Sequence, residues 1–132
     1  MNTINTKNAP LAIGPYSQAT EVNDFIFVSG QLPINPLTGE LVEGDIKDMT
    51  RQSMNNIKAI LESCGSSMDK ILKTTVLVKD LSTFSEVNEA YGEFFNKDMP
   101  ARSCFEVSNL PKGAMIEIEA IAHKWVCGQR YS

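Results

Sequence analysis

Along this chain the spacing of apolar residues changes period several times, and each change marks the edge of a predicted element. In "SQATEVNDFIFVSGQLPI" two β segments flank Asn23 and Asp24, whose side chains tolerate tight turns, so a hairpin is predicted there. "NPLTGE" then supplies Pro36 and Gly39 at turn spacing before a short extended "ELV". From Asp45 the step becomes three and four: Ile46, Met49, Ser53, Ile57, Ile60, Leu61 and Cys64 line one face of a helix. Asp45 is placed to cap its start and Gly65 to end it. "KILKTTVLVKD" is rich in β-branched residues and reads as a strand.

Helical spacing returns in "STFSEVNEAYGEFF" through Phe84, Val87, Tyr91, Phe94 and Phe95. Thr83 and Glu86 are spaced as a capping box. Gly92, taken as interior to this helix, weakens it by ~1 kcal/mol relative to alanine, which leaves aromatic packing to hold it. Pro100 closes the element. "RSCFEVSNL" and "AMIEIEAIAHKWV" follow as two strands joined through Pro111 and Gly113.

The predicted order is strand, strand, helix, strand, helix, strand, strand. It implies an α+β fold: a mixed sheet with two helices packed on one face and right-handed crossovers. Along "MIEIEAIAHKW" Ile116, Ile118, Ala120 and Ala122 share one face, while Glu117, Glu119, Ile121 and His123 share the other. That second face is half polar, neither plain surface nor plain core. It points to contact with another subunit around a partly wet centre.

The length, 132 residues, suits a single domain spanning 1–132, and 42% hydrophobic with 21% charged residues is an ordinary globular balance. A net charge of -4 without a dense Lys/Arg cluster argues against a phosphate-tracking surface, so nucleic acid is an unfavoured partner. Three cysteines without a CxxC pair, and one histidine, make neither a disulfide framework nor a zinc site. The first residues lack a basic segment followed by an apolar run, and no later apolar run is long enough to span a bilayer. The expectation is a cytoplasmic protein with no membrane association.

Candidate chemistry gathers in "MPARSCFEVSNLPKGAMIEIEA". Arg102, behind Pro100 and Ala101, offers a planar fork that grips a carboxylate bidentately, or else makes a rim salt bridge. Glu117 and Glu119 lie on one strand face, about 7 Å apart by strand rise. One ionised carboxylate would raise the other's proton affinity, and such a group can hold or deprotonate water; a solvated face is the alternative. Cys104 shares the strand face of Arg102. It reads either as a small buried apolar residue or as a thiol in need of a histidine, and His123 cannot be placed beside it from sequence. Tyr16, fixed behind Gly14 and Pro15, and the strand end at Ser29 and Gly30 are further candidates to face a ligand, beside core and bulge readings. No phosphate-binding glycine pattern or context for a pyridoxal lysine is present.

Taken together, "AIGPYSQA", "FVSGQLPINPLTGEL", "ILKTTVLVKDL", "VNEAYGEFF" and "PARSCFEVSNLPKGAMIEIEAIA" resemble the RidA/YjgF family of reactive-intermediate deaminases, from about Ala9 to Ala122. The resemblance implies a chorismate-mutase-like α+β fold and a homotrimer with sites in clefts between subunits. It also implies hydrolysis of 2-imino or enamino acids, such as 2-iminobutanoate and 2-iminopropanoate, to 2-oxo acids and ammonia, with no metal and no cofactor. By resemblance Arg102 grips the substrate carboxylate and Glu117 orients the attacking water. Tyr16, Ser29, Gly30, Asn88 and Cys104 would line the pocket. Family members described as ribonucleases, translation inhibitors or chaperones leave other readings open, as does a carboxylate- or protein-binding module without turnover. The tail "HKWVCGQRYS" extends past the resemblance, and neither Trp125 nor Cys127 acquires a role from it.

Overall fold

The computed structural model describes residues 1–125. A six-stranded sheet runs in the order β1 (Asn2–Ile4), β2 (Ala19–Val22), β3 (Phe25–Gln31), β8 (Ile116–His123), β6 (Ile71–Val78), β7 (Ala101–Glu106). Only the β6–β7 pair is parallel. β4 (Ile34–Asn35) and β5 (Glu40–Leu41) form a separate two-stranded pair. Helices α1 (Ile46–Ser63) and α2 (Phe84–Gly92) complete the α+β architecture.

Turn chemistry sets the first hairpin as the sequence requires. Asn23 and Asp24 both take positive φ, 50° and 63°, a pairing of left-handed residues that suits the right-handed twist of the flanking strands. The α1 cap is reciprocal: the Asp48 amide donates to Asp45 Oδ1 at 2.9 Å and the Asp45 amide to Asp48 Oδ2 at 3.3 Å. Met54, Ile57, Ile60 and Leu61 then meet Ile26, Val28, Ile116 and Ile118 from the sheet in one core. Each such side chain, once buried, contributes about 1.5–3 kcal/mol.

Two details of α2 correct the sequence reading. Thr83 makes no side-chain cap, because a turn of 3₁₀ helix at Leu81–Thr83 precedes the α-helix and draws the Thr83 hydroxyl to the Asp80 carbonyl. Asp80 serves as the cap of that turn, its carboxylate accepting from the Ser82 amide at 2.9 Å. Gly92 is the last residue of the helix, not an interior one, so its backbone freedom costs α2 little. The N-terminal strand β1, three residues with one buried side chain, carries no periodicity and was not predicted.

The alternation along β8 holds. Ile116, Ile118, Ala120 and Ala122 are buried in the core, and the intervening side chains lie on the open face. There Phe27 and Phe105 keep 43% and 56% of their surface exposed, a large apolar area for a protein in water. Trp125 closes one end of that face, edge-on to Phe25 at 4.9 Å between ring centroids. Cys127 lies outside the described residues. Among those residues no helix is long and apolar enough to cross a membrane.

Candidate active site

Glu117 leaves the open face of β8 toward a kink in β3. The β3–β8 register shifts between Val28 and Gln31, and this irregularity presents Ser29 and Gly30. Gly30 leaves room for the glutamate where it now lies: a β-carbon there would lie 2.7 Å from the Glu117 carboxyl carbon and 2.8 Å from Oε2. Ser29 is fixed by its amide, which donates to the Gln18 carbonyl at 2.9 Å, and by its hydroxyl, which donates to the Ser17 carbonyl at 2.6 Å. The hydroxyl's lone pairs remain available as acceptors.

Tyr16 is brought to the same place by the N-terminal segment. Gly14 takes a φ of 129°, and a tight turn follows in which the Tyr16 amide donates to the Gly14 carbonyl at 2.9 Å. That segment is held by a residue the periodicity gave no reason to single out. Gln18, fully buried, donates through Nε2 to the carbonyls of Thr6, Ala9 and Pro10, and its Oε1 accepts from the Thr6 amide at 2.7 Å. Asn56 of α1 secures the opposite wall, donating to the carbonyls of Leu32 and Ile34.

Between these walls lies a cavity of ≈ 750 Å³, lined by Tyr16, Ser29, Gly30, Glu117 and Glu119 and by apolar groups that include Ile13 and Leu32. Burial pushes the Glu117 carboxyl above the usual glutamate range, and the neighbouring Glu119 charge adds to it. The shift makes Glu117 a better proton acceptor once ionised than a surface glutamate is.

Arg102, Asn88 and Cys104 stand elsewhere. Thr74 pairs with Arg102 and Val76 with Cys104 across the parallel β6–β7 ladder, so both β7 side chains point to the helix-covered face. There Arg102 Nη1 donates to Asn88 Oδ1 at 2.8 Å, and the guanidinium carbon sits 5.3 Å from the Phe84 ring centroid and 5.0 Å from that of Tyr91. Among the described residues no carboxylate forms an ion pair with Arg102. Burial raises the Cys104 thiol, against a smaller opposing pull from Arg102, and so disfavours the nucleophilic thiolate. His123 is on the other face, its Nδ1 accepting from the Trp125 amide, so no Cys–His pair forms.

The candidate residues therefore fall into two groups within one chain. Tyr16, Ser29, Gly30 and Glu117 meet at the cavity; Arg102 meets Asn88 of α2, with Cys104 two residues further along the same strand face. Leu77 pairs with both Glu117 and Phe105, which fixes Glu117 on the open face and Arg102, an odd number of residues from Phe105, on the other.

Residues 6–124 match the family model described as endoribonuclease L-PSP, nearly the whole chain. A RutC family protein of Pyrococcus horikoshii is 56% identical over 119 residues, covering 90% of this chain and 94% of that one. The chain belongs to the RidA/YjgF family. Within the family, the Escherichia coli K12 protein named 2-iminobutanoate/2-iminopropanoate deaminase is 54% identical over 123 residues, 91% of this chain and 95% of that one. The crystal structure of E. coli TdcF with bound serine superposes with a TM-score of 0.89 at 44% identity, covering 93% of this chain and 98% of that one. The relatives thus share both the fold and most of the length.

Proposed function

We propose that this protein is a 2-iminobutanoate/2-iminopropanoate deaminase, hydrolysing reactive 2-imino and enamino acids to 2-oxo acids and ammonia in the cytoplasm. The observation that carries the reading is an arginine fork held by a neutral amide and two rings, with no described carboxylate neutralising it. An arginine so placed retains its charge and its donors for an incoming acid group. A relative named for this deaminase activity and another crystallised with serine, itself a small amino acid, support the same substrate class.

In this scheme Arg102 takes the substrate carboxylate and Glu117 holds a water against the imine carbon. Glu117 accepts a proton as the water's oxygen bonds to carbon and returns it to nitrogen as the C=N π bond opens; it then carries the carbinolamine's hydroxyl proton to nitrogen, so that the C–N bond breaks, ammonia leaves and the 2-oxo acid remains. Tyr16 and Ser29 offer hydroxyl groups to the developing polar atoms, and Gly30 leaves room for the Glu117 carboxylate. The imine carbon is already electrophilic, so positioning and one proton relay suffice, and the scheme uses no cofactor. General acid–base help of this kind contributes about 100- to 10,000-fold.

Because Arg102 and Glu117 occupy opposite faces of one sheet, the complete site is assembled from two copies, the cavity of one facing the Arg102 side of its neighbour. A homotrimer closes such a head-to-tail contact into a ring. The exposed Phe27 and Phe105 on the open face supply apolar surface for that association.

A threonine dehydratase coupled to this protein tests the reading. 2-Oxobutanoate should appear faster when the protein is added, and Arg102→Ala should abolish the acceleration. Binding of small carboxylic acids without acceleration would instead make the chain a binding module.

A further inference from the structure

We infer that Phe84 and Tyr91, with Asn88 between them, form a cradle that positions the Arg102 guanidinium, so that Asn88 serves the arginine and not the substrate. The inference rests on the carboxylate-anchor reading of Arg102 given above. Residues 84, 88 and 91 are spaced i, i+4, i+7 and so form one stripe along α2. All three touch the same guanidinium: the two rings at 5.3 and 5.0 Å and the Asn88 oxygen at 2.8 Å.

The stripe shares only Tyr91 with the buried side that packs the helix. Val87 and Ala90 are fully buried and hold α2 to the core, whereas Phe84 and Asn88 are only half buried. Two of the aromatics whose spacing reads as core therefore act, at least in part, as a surface for a cation. Tyr91 is further constrained, since its hydroxyl and that of Thr74 share a 2.6 Å hydrogen bond in a buried setting. Thr74 is the strand partner of Arg102. A closed circuit results: strand pairing ties Arg102 to Thr74, the hydroxyl bond ties Thr74 to the Tyr91 ring, and the ring meets Arg102.

The choice of partners has a chemical consequence. A glutamate in place of Asn88 would hold the guanidinium more strongly but would compete with the substrate's acid group. Ring faces and an amide oxygen fix the side chain while leaving its full positive charge. Among the described residues nothing else accepts from the remaining guanidinium N–H groups. Ordering the arginine in advance removes that cost from substrate binding. Since the carboxylate keeps its charge throughout the reaction, the cradle stabilises bound substrate and transition state alike, and its loss should appear in KM.

The test combines calorimetric binding of 2-oxobutanoate with imine-hydrolysis kinetics. Phe84→Leu keeps apolar bulk and removes the ring face. It should weaken binding and raise KM by about 2- to 30-fold, with kcat within about 2-fold, while Phe84→Tyr should match the wild type. In an Arg102→Lys background, which keeps a charge but stacks less well on the rings, Phe84→Leu should raise KM by a smaller factor than it does in the wild type. Asn88→Ala, at a half-exposed position, should move KM in the same direction and serves if Phe84→Leu does not fold. Wild-type binding by Phe84→Leu, a fall in kcat at unchanged KM, or an equal rise in KM in the Arg102→Lys background would each overturn the cradle. Cradle-dependent binding by a wild type that does not hydrolyse imines would overturn the deaminase reading alone. Binding that does not depend on Arg102 would remove the anchor and the cradle together.

Discussion

Gly30 and Glu117 are packed so closely that a single methyl group at position 30 would occupy space the glutamate carboxyl now fills, 2.7 Å from its carbon. The obstructing atoms belong to the end of a flexible side chain, so the fold can yield where the chemistry cannot. Gly30→Ala is therefore expected to keep its melting midpoint within a few degrees and to lose at least about 10-fold in kcat, as a displaced proton acceptor would. Circular dichroism and steady-state kinetics on the same preparation check both halves.

The Glu117 carboxyl is raised above the ordinary glutamate value of 4.5, by burial first and by Glu119 second; if Glu117 is the proton acceptor proposed above, the acid limb of activity should lie above that value. Glu119→Gln removes the like charge and should move that limb to lower pH. The linked effect on stability has a definite sign. A carboxyl whose folded value exceeds its unfolded one contributes stability below the unfolded value and loses that contribution as pH rises through the folded one. Glu117→Gln should consequently raise the melting midpoint more at about pH 7 than at about pH 4.

Arg102→Lys tests whether the site needs a fork or only a charge. A lysine retains the charge but presents no planar pair of donors and stacks less well on Phe84 and Tyr91. Loss of one charge-assisted hydrogen bond predicts about a 10- to 100-fold rise in KM for a 2-imino acid, with the fold intact. Equal KM values for the two proteins would show that simple charge suffices.

Gln18 links the N-terminal segment to β2 by four hydrogen bonds and is fully buried. Gln18→Ala should destabilise the protein by about 1–3 kcal/mol, because Thr6 loses its acceptor and the carbonyls lose their donor. Amide exchange should show the Thr6 N–H losing protection first. Tyr16, carried by the same segment, should become less fixed, and activity should fall with it.

Much of this was readable from local chemistry. Asn23 and Asp24 marked the hairpin, Asp45 the start of α1, and the alternation from Ile116 to His123 the buried and open faces of β8. Each signal depends on neighbours in sequence. β1 was missed because three residues with a single buried side chain leave no period to detect. The separation of Arg102 from Glu117 was equally out of reach, since it follows from the register of β6 against both β7 and β8. The Thr83 cap failed because a 3₁₀ turn displaced the helix start, a competition that spacing alone does not reveal. Gln18 carried no pattern at all; a glutamine is ordinarily a surface residue, and only its four partners explain its burial.

The central claim is that Arg102 of one copy and Glu117 of another complete each site, and subunit mixing tests it most directly. Arg102→Ala and Glu117→Gln, each expected to be inactive alone, are unfolded together, refolded, and assayed for imine hydrolysis. Random assembly should restore about a quarter of wild-type activity, since a quarter of the clefts then receive an intact arginine from one neighbour and an intact glutamate from the other. A mixture as inactive as its parents would contradict the account.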